Sequence, residues 1–231
     1  MPPGFFHNVA VREDRHMKKN LTEIIFIIDR SGSMGGLEED TIGGYNAFLK
    51  RQKEAEGDAL ISTVLFSNTS EVIHDRRPID EVQPLSNDEY RVGGCTALLD
   101  AIGGAISHIR NVHKYARKED VPEKTVVVIT TDGLENASRR YSYQKVKKMV
   151  EEQTREYGWE FLFLGANMDA IKAAGSFGID EDHAVRFHSD SVGTTLNYKV
   201  VSEAVASFRR SSRPLDKAWK REIEEDYEAR K

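Results

Sequence analysis

The chain of 231 residues contains a single cysteine, Cys95, so it can close no internal disulfide and assemble no thiolate metal cluster of its own. No segment approaches the apolar length needed to span a bilayer. The opening stretch, MPPGFFHNVAVREDRHMKKN, lacks the continuous apolar run of a signal peptide. Basic excess is missing too: with a net charge of -5 and no Lys/Arg block interleaved with aromatics, the chain has no general attraction for polyanions. The expectation is a cytoplasmic protein, in a reducing compartment, with neither nucleic acid nor membrane as its partner.

What is present is enough apolar residue, 39% of the chain, to build one large core. The composition divides it into an N-terminal extension at residues 1–20, poorly patterned and with Met17 resembling a fresh start, a domain at 21–210, and a charged tail at 211–231. The tail carries both signs of charge densely, as a solvated helix or a disordered end would.

Within the domain, short apolar runs alternate with longer amphipathic stretches, which predicts an α/β fold. Strands are expected at 23–28, 59–66, 71–74, 124–130, 159–164 and 184–187. Several are continuous Val/Ile/Phe runs, as in parallel strands covered by helices on both faces. The polar turn SNTS at 67–70 makes the third strand an antiparallel edge, and its sequon Asn68-Thr69-Ser70 is read as accidental. Helical stripes follow from Ile42, Tyr45 and Leu49, from Leu98, Ile102, Ala105, Ile106 and Ile109, and from Val146 and Val150. A last helix, opened by a serine cap, carries Leu196, Val200, Val201 and Val205. Gly43-Gly44 and Gly103-Gly104 cost helix propensity, and close approach of a helix to the sheet, or simple looseness, would account for them.

The stretch IIFIIDRSGSMGG, residues 24–36, ends a buried strand in a carboxylate and then offers Ser31 and Ser33 at alternate positions. In a parallel sheet the carboxyl ends of neighbouring strands converge on a crevice. Asp132, in TVVVITTDGLENAS, ends a second such strand and would meet Asp29 there. Two carboxylates at close range require a proton or a counter-ion, and a cation is the economical solution. Thr96, in RVGGCTALLDAI, opens a helix after two glycines, where its hydroxyl either caps that helix or turns toward the same point. Hydroxyl and carboxylate oxygens are hard donors, suited to Mg²⁺, Mn²⁺ or Ca²⁺ and poorly suited to zinc.

Other readings compete. Ser31 and Ser33 could merely shape the turn before a helix starting near Gly36. Cys95 is better read as a small buried hydrophobe than as a nucleophile, since no helper stands near it in sequence. His108, His113, His183 and His188 lack ligand spacing. Glu38, Glu39 and Asp40 suit a helix first turn or a partner-selecting rim, while Glu135, Asn136, Arg139 and Arg140 belong either to a solvated loop or to the metal face.

Asp-x-Ser-x-Ser after a first apolar strand, then a glycine-flanked Thr and a strand-ending Asp-Gly, resembles the metal-ion-dependent adhesion site (MIDAS) of the von Willebrand factor A (vWA) domain family, in its stand-alone bacterial type. All five motif positions are matched, by Asp29, Ser31, Ser33, Thr96 and Asp132, and the resemblance runs from about Thr22 to Phe208. It implies a doubly wound, mostly parallel sheet in the order 3-2-1-4-5-6 with one antiparallel edge strand and helices on both faces. It also implies a metal-dependent protein-interaction module, not an enzyme, in which a partner's Asp or Glu completes the coordination of Mg²⁺, or of Mn²⁺ or Ca²⁺. By analogy with such bacterial proteins the partner would be an AAA+ ATPase or a stress-response component. The alternative is a Mg²⁺-dependent phosphohydrolase with Asp29 as nucleophile, but such enzymes place a second aspartate where this chain has Ser31. A nucleotide loop on SGSMGG fails for want of the Gly-Lys-Ser/Thr ending.

Overall fold

The computed structural model describes residues 18–166, 169–211 and 213–231. In chain order the elements are β1 (Lys18–Asp29), α1 (Glu38–Glu54), β2 (Asp58–Phe66), β3 (Ser70–Pro78), α2 (Leu98–Tyr115), β4 (Pro122–Thr131), α3 (Tyr143–Tyr157), β5 (Glu160–Ala166), α4 (Ala170–Ser176), β6 (Ala184–Phe187), α5 (Ser191–Arg210) and α6 (Arg221–Ala229). The six strands form one sheet in the order β3-β2-β1-β4-β5-β6. Only the β2–β3 pair is antiparallel. The expected strands all form, each within a few residues of its predicted ends.

β1 lies inside the sheet because from Ile24 to Ile28 it is wholly apolar and buried on both faces. Ile24, Phe26 and Ile28 project into the core beneath α1 and α5, where Phe26 meets Tyr45 edge-on at 5.5 Å and stacks on Tyr198 at 5.8 Å. Ile25 and Ile27 project into the other core, beneath α2, α3 and α4. Glu23 is fully buried and is compensated by the Arg76 Nε, 2.9 Å away, and by His113 at 3.3 Å. The register runs unbroken from Leu21↔Asp58 to Asp29↔Phe66 against β2, and from Thr22↔Lys124 to Ile28↔Thr130 against β4.

Several expectations change. β1 begins at Lys18, so Lys18, Lys19 and Asn20 lead the strand and are not part of an extension; residues 1–17 of that extension lie outside the described residues. The helix expected near Gly36 begins at Glu38, after a 3-10 turn over Gly32–Met34. The last long helix is capped by Asp190, whose side chain accepts from the Gly193 N–H at 2.7 Å, not by a serine. α4 has no counterpart in the expected elements, because seven residues of Ala and Gly character carry no apolar stripe. Cys95 is exposed, not a buried hydrophobe.

One glycine of each pair is explained, by another helix or loop rather than by the sheet. A Cβ at Gly44 would overlap the Tyr198 ring of α5, and one at Gly103 would overlap Tyr141. Gly43 and Gly104 have nothing within 4 Å of such an atom.

The charged residues after Pro214 fold back onto the domain. Ile223 is 1% exposed and joins the α1/α5 core. Lys220 donates to the carbonyls of Glu181 and Ala184 at 2.8 and 3.0 Å, and the Trp219 indole donates to Asp182 O at 3.0 Å. Among the described residues no helix is long and apolar enough to cross a membrane.

Candidate functional site

Asp29 is the last residue of β1 and is fully buried. The Arg30 N–H continues the ladder to Phe66 O at 2.7 Å, and then the chain must turn. The turn is fixed from outside itself. Gly32 N–H donates to Gly94 O at 3.0 Å, Gly93 N–H donates to Arg30 O at 2.9 Å, and the Tyr90 hydroxyl donates to Asp29 O at 2.5 Å. The loop that precedes Thr96 is thereby laced to the loop that carries both serines.

The side chains form a connected set. Asp29 Oδ1 accepts from the Ser31 N–H at 2.7 Å, and Oδ2 accepts from the Thr131 hydroxyl at 2.5 Å. Ser31 Oγ lies 3.1 Å from Ser33 Oγ, and Ser33 Oγ donates to Asp132 Oδ1 at 2.5 Å. Ser189, from the loop after β6, reaches Asp132 Oδ2 at 3.4 Å. Thr96 Oγ1 joins from the α2 side: a Cβ at Gly133 would sit 2.8 Å from it and 3.3 Å from Ser33 Oγ. Gly133 is thus glycine because two hydroxyls occupy the space above it. The structure brings together all five residues singled out in the sequence.

Thr96 does not cap α2. That end is satisfied by the loop after β4, where the Glu135 carboxylate accepts from Leu99 N–H at 2.8 Å and Ser138 Oγ accepts from Asp100 N–H at 2.9 Å. Asp100 in turn accepts from the N–H groups of Arg139, Arg140 and Tyr141. Asn136 is paired with the Thr96 backbone, its Oδ1 accepting from Thr96 N–H at 2.9 Å and its N–H donating to Thr96 O at 3.0 Å. Glu135 and Asn136 are therefore braces that free the threonine hydroxyl. On the other rim, Asp40 accepts from Ser191 Oγ at 2.8 Å and Glu38 accepts from Gly36 N–H at 2.7 Å.

Burial pushes the Asp29 carboxyl up to about 6, against the lowering effect of its bonds from Thr131 and Ser31, and Asp132 adds to the rise. Asp132 is raised as well, again mainly by burial. Among the described residues none of the ion pairs involves either carboxylate; the adjacent Arg30 is drawn off to Glu71 at 2.8 Å. Among the described residues the pair has no counter-charge of its own. Nor do His, Cys, Asp and Glu gather in threes anywhere among the described residues in a way that could hold a metal. Any cation taken here would depend on hydroxyl oxygens, a donor set matched to hard divalent ions.

Thr131 and Ser189 were not found from the sequence. Thr131 stands one residue before Asp132 in a strand where threonine needs no special explanation, and Ser189 lies 57 residues from its partner. The histidines are engaged elsewhere: His108 faces Asp75 at 2.8 Å, His183 lies 2.9 Å from Glu160, and His188 stacks on Tyr227.

A doubly wound sheet of this order, with oxygen-bearing side chains gathered beyond the carboxyl end of its central strand, defines a von Willebrand factor A-type domain. The chain belongs to the family described as VWA domain containing CoxE-like protein, which it matches over residues 6–162. Among solved structures it is similar to the PilB minor pilin from Streptococcus sanguinis, with 10% identity and a TM-score of 0.58, covering 84% of this chain and 63% of that one. It is similar to the vWF domain of the type V pili tip protein Mfa5 from Porphyromonas gingivalis, with 10% identity and a TM-score of 0.57, covering 84% and 97%. A third is proximal thread matrix protein 1 from the mussel byssus, with a zinc-occupied MIDAS motif, at 17% identity and a TM-score of 0.54, covering 80% and 46%. At these identities the likeness is one of fold. The chain spans less than half of the mussel protein and less than two thirds of PilB. No curated protein matches it.

Proposed function

We propose that Asp29, Ser31, Ser33, Thr96 and Asp132 form a complete MIDAS, and that the protein is a metal-dependent interaction module whose partner supplies an Asp or Glu. The observation that carries this reading is the convergence of three hydroxyls on two buried carboxylates, neither of which is paired to a basic side chain among the described residues. When bound, a divalent cation supplies an electron-poor centre that attracts an incoming carboxylate. Ser31, Ser33 and Thr96 would hold it through neutral oxygens, which offset its charge little. Asp29 and Asp132 would balance it from behind.

The full burial of Asp29, with both oxygens already accepting hydrogen bonds, supports a supporting role for that carboxylate over one as a phosphoryl-attacking nucleophile. Mg²⁺ is the metal proposed, with Mn²⁺ and Ca²⁺ as substitutes. The zinc in the mussel protein's MIDAS makes zinc a necessary arm of the test.

The test is titration calorimetry of the metal-free chain with Mg²⁺, Mn²⁺, Ca²⁺ and Zn²⁺, alongside a Ser31→Ala/Ser33→Ala double variant whose fold is checked by circular dichroism. Uptake of one equivalent by the wild type, lost in the folded variant, is expected. Uptake of none of the four ions, or uptake indifferent to the serines, would overturn the assignment.

A further inference from the structure

The family match ends at residue 162, so it covers neither β6 nor the two helices that follow it. Those elements nonetheless bring a hydroxyl to the candidate metal site. Asp132 is 4% exposed, and its two carboxylate oxygens are served from different sides. Oδ1 takes the Ser33 hydroxyl at 2.5 Å, and Oδ2 takes that of Ser189, on the loop between β6 and α5, at 3.4 Å. No other side chain among the described residues donates to Oδ2. A carboxylate oxygen withdrawn from water needs a donor, and 3.4 Å is long for one. Whatever holds the Ser189 loop therefore decides how Asp132 stands.

That loop, His188 to Ser191, is pinned from two directions. On the α1 side Ser191 Oγ donates to Asp40 at 2.8 Å. On the other, the end of α6 grips it twice: Arg230 donates to Asp190 Oδ2 at 2.5 Å, and the Tyr227 ring stacks on His188 with centroids 4.4 Å apart. Asp226 steadies the same guanidinium, accepting from its Nε at 3.0 Å. The loop has little room to shift, since a Cβ at Gly193 would sit 2.1 Å from His188 O. α6 does not depend on these contacts for its own place, because the buried Ile223 and the Lys220 bonds to the carbonyls of Glu181 and Ala184 anchor it independently.

We propose that Ser189 is a sixth residue of the metal site, a positioning residue that holds Asp132 through Oδ2, and that Arg230 and Tyr227 of the C-terminal segment keep it there. The proposal rests on the metal-dependent reading of the other five residues. A cation drawing on Asp132 and a helix clamping the Ser189 loop favour the same arrangement. Each then strengthens the other by the same factor.

The test is Mn²⁺ calorimetry on the full chain and on Ser189→Ala, Ser189→Thr, Arg230→Ala and the Ser189→Ala/Arg230→Ala pair. Ser189→Ala should weaken uptake about tenfold, the lower end of the effect of groups that orient metal ligands. Ser189→Thr, which keeps the hydroxyl, should restore most of it. Arg230→Ala should cost about threefold, the worth of an exposed ion pair. The pair should be no weaker than Ser189→Ala alone, because both changes act through one hydroxyl. Metal-free melting temperatures should stay near wild type throughout. In hydrogen exchange, Mn²⁺ should slow the amides of residues 221–229 in the wild type and lose that effect in Ser189→Ala.

Ser189→Ala binding Mn²⁺ as the wild type does, while Ser31→Ala/Ser33→Ala fails to, would overturn the sixth residue and leave the other five standing. A loss that Ser189→Thr does not restore, or that comes with a lowered melting temperature, marks a packing role and overturns it too. Additive losses in the pair, or exchange at 221–229 indifferent to Mn²⁺, overturn the clamp. A wild type that takes up no metal brings down the reading of all six together.

Discussion

Asp29 and Thr131 are adjacent in space and 102 residues apart in the chain, and the bond between them decides how the carboxylate faces the site. The Thr131 hydroxyl also lies 3.2 Å from both the N–H and the carbonyl of Gly133, so one side chain orients the carboxylate and the turn that makes room for Thr96. Groups that orient a metal's ligands are commonly worth 10–100-fold in affinity. Thr131→Val preserves shape and removes only the hydroxyl. If the site binds metal as proposed, this variant should weaken Mn²⁺ uptake by roughly 10–100-fold in calorimetry while the fold persists. Asp29, Ser31, Ser33, Thr96 and Asp132 were legible because each stands in a recognisable place, at a strand end or in a glycine-flanked turn. Thr131 and Ser189 were not, because a hydroxyl that serves another residue has no local pattern of its own.

Among the elements, the helices carried readable stripes but not readable reasons for their glycines. Periodicity shows that Gly43-Gly44 lies within α1; it cannot say which of the two faces Tyr198. The structure separates them, and opposite effects follow. Gly43→Ala should stabilise the protein by up to about 1 kcal/mol through helix propensity. Gly44→Ala should destabilise it by about 1–3 kcal/mol, because the methyl group must displace a buried ring. Urea denaturation of the two single variants measures both. The N-terminus of α2 gives the same lesson. The sequence left Thr96 either as its cap or turned toward the site, and the bonds to the first amides come instead from Glu135 and Ser138, 36 and 38 residues from their partners, which only the folded chain can place.

At the scale of the whole molecule, the order of the sheet followed from the resemblance and its parallel strands from continuous apolar runs, and the fate of the last twenty-one residues, 211–231, did not follow from either. Their charge masks Ile223, which is buried in the core that holds Phe26 and Tyr198, with Leu215 and Trp219 packed against it. Ile223→Ala should therefore cost about 2–5 kcal/mol, a core-sized loss, where a solvated tail would lose almost nothing. The midpoint of thermal or urea unfolding distinguishes the two. The same segment reaches toward the site: Arg230 bonds Asp190 at 2.5 Å, and Tyr227 O lies 3.2 Å from the His188 Nε2, on either side of Ser189.

β1 is bonded on both sides along nearly all of its length. Its amides are among those whose exposure requires opening the whole molecule, whereas loops can open alone at much lower cost. Asp29 consequently stays put for as long as the molecule remains folded. Thr96, Gly133 and Ser189 stand on connecting segments, held by loop-to-loop bonds and not by a strand ladder. Hydrogen exchange should therefore rank the amides of β1 as the slowest around the cluster, with those of the connecting segments exchanging sooner.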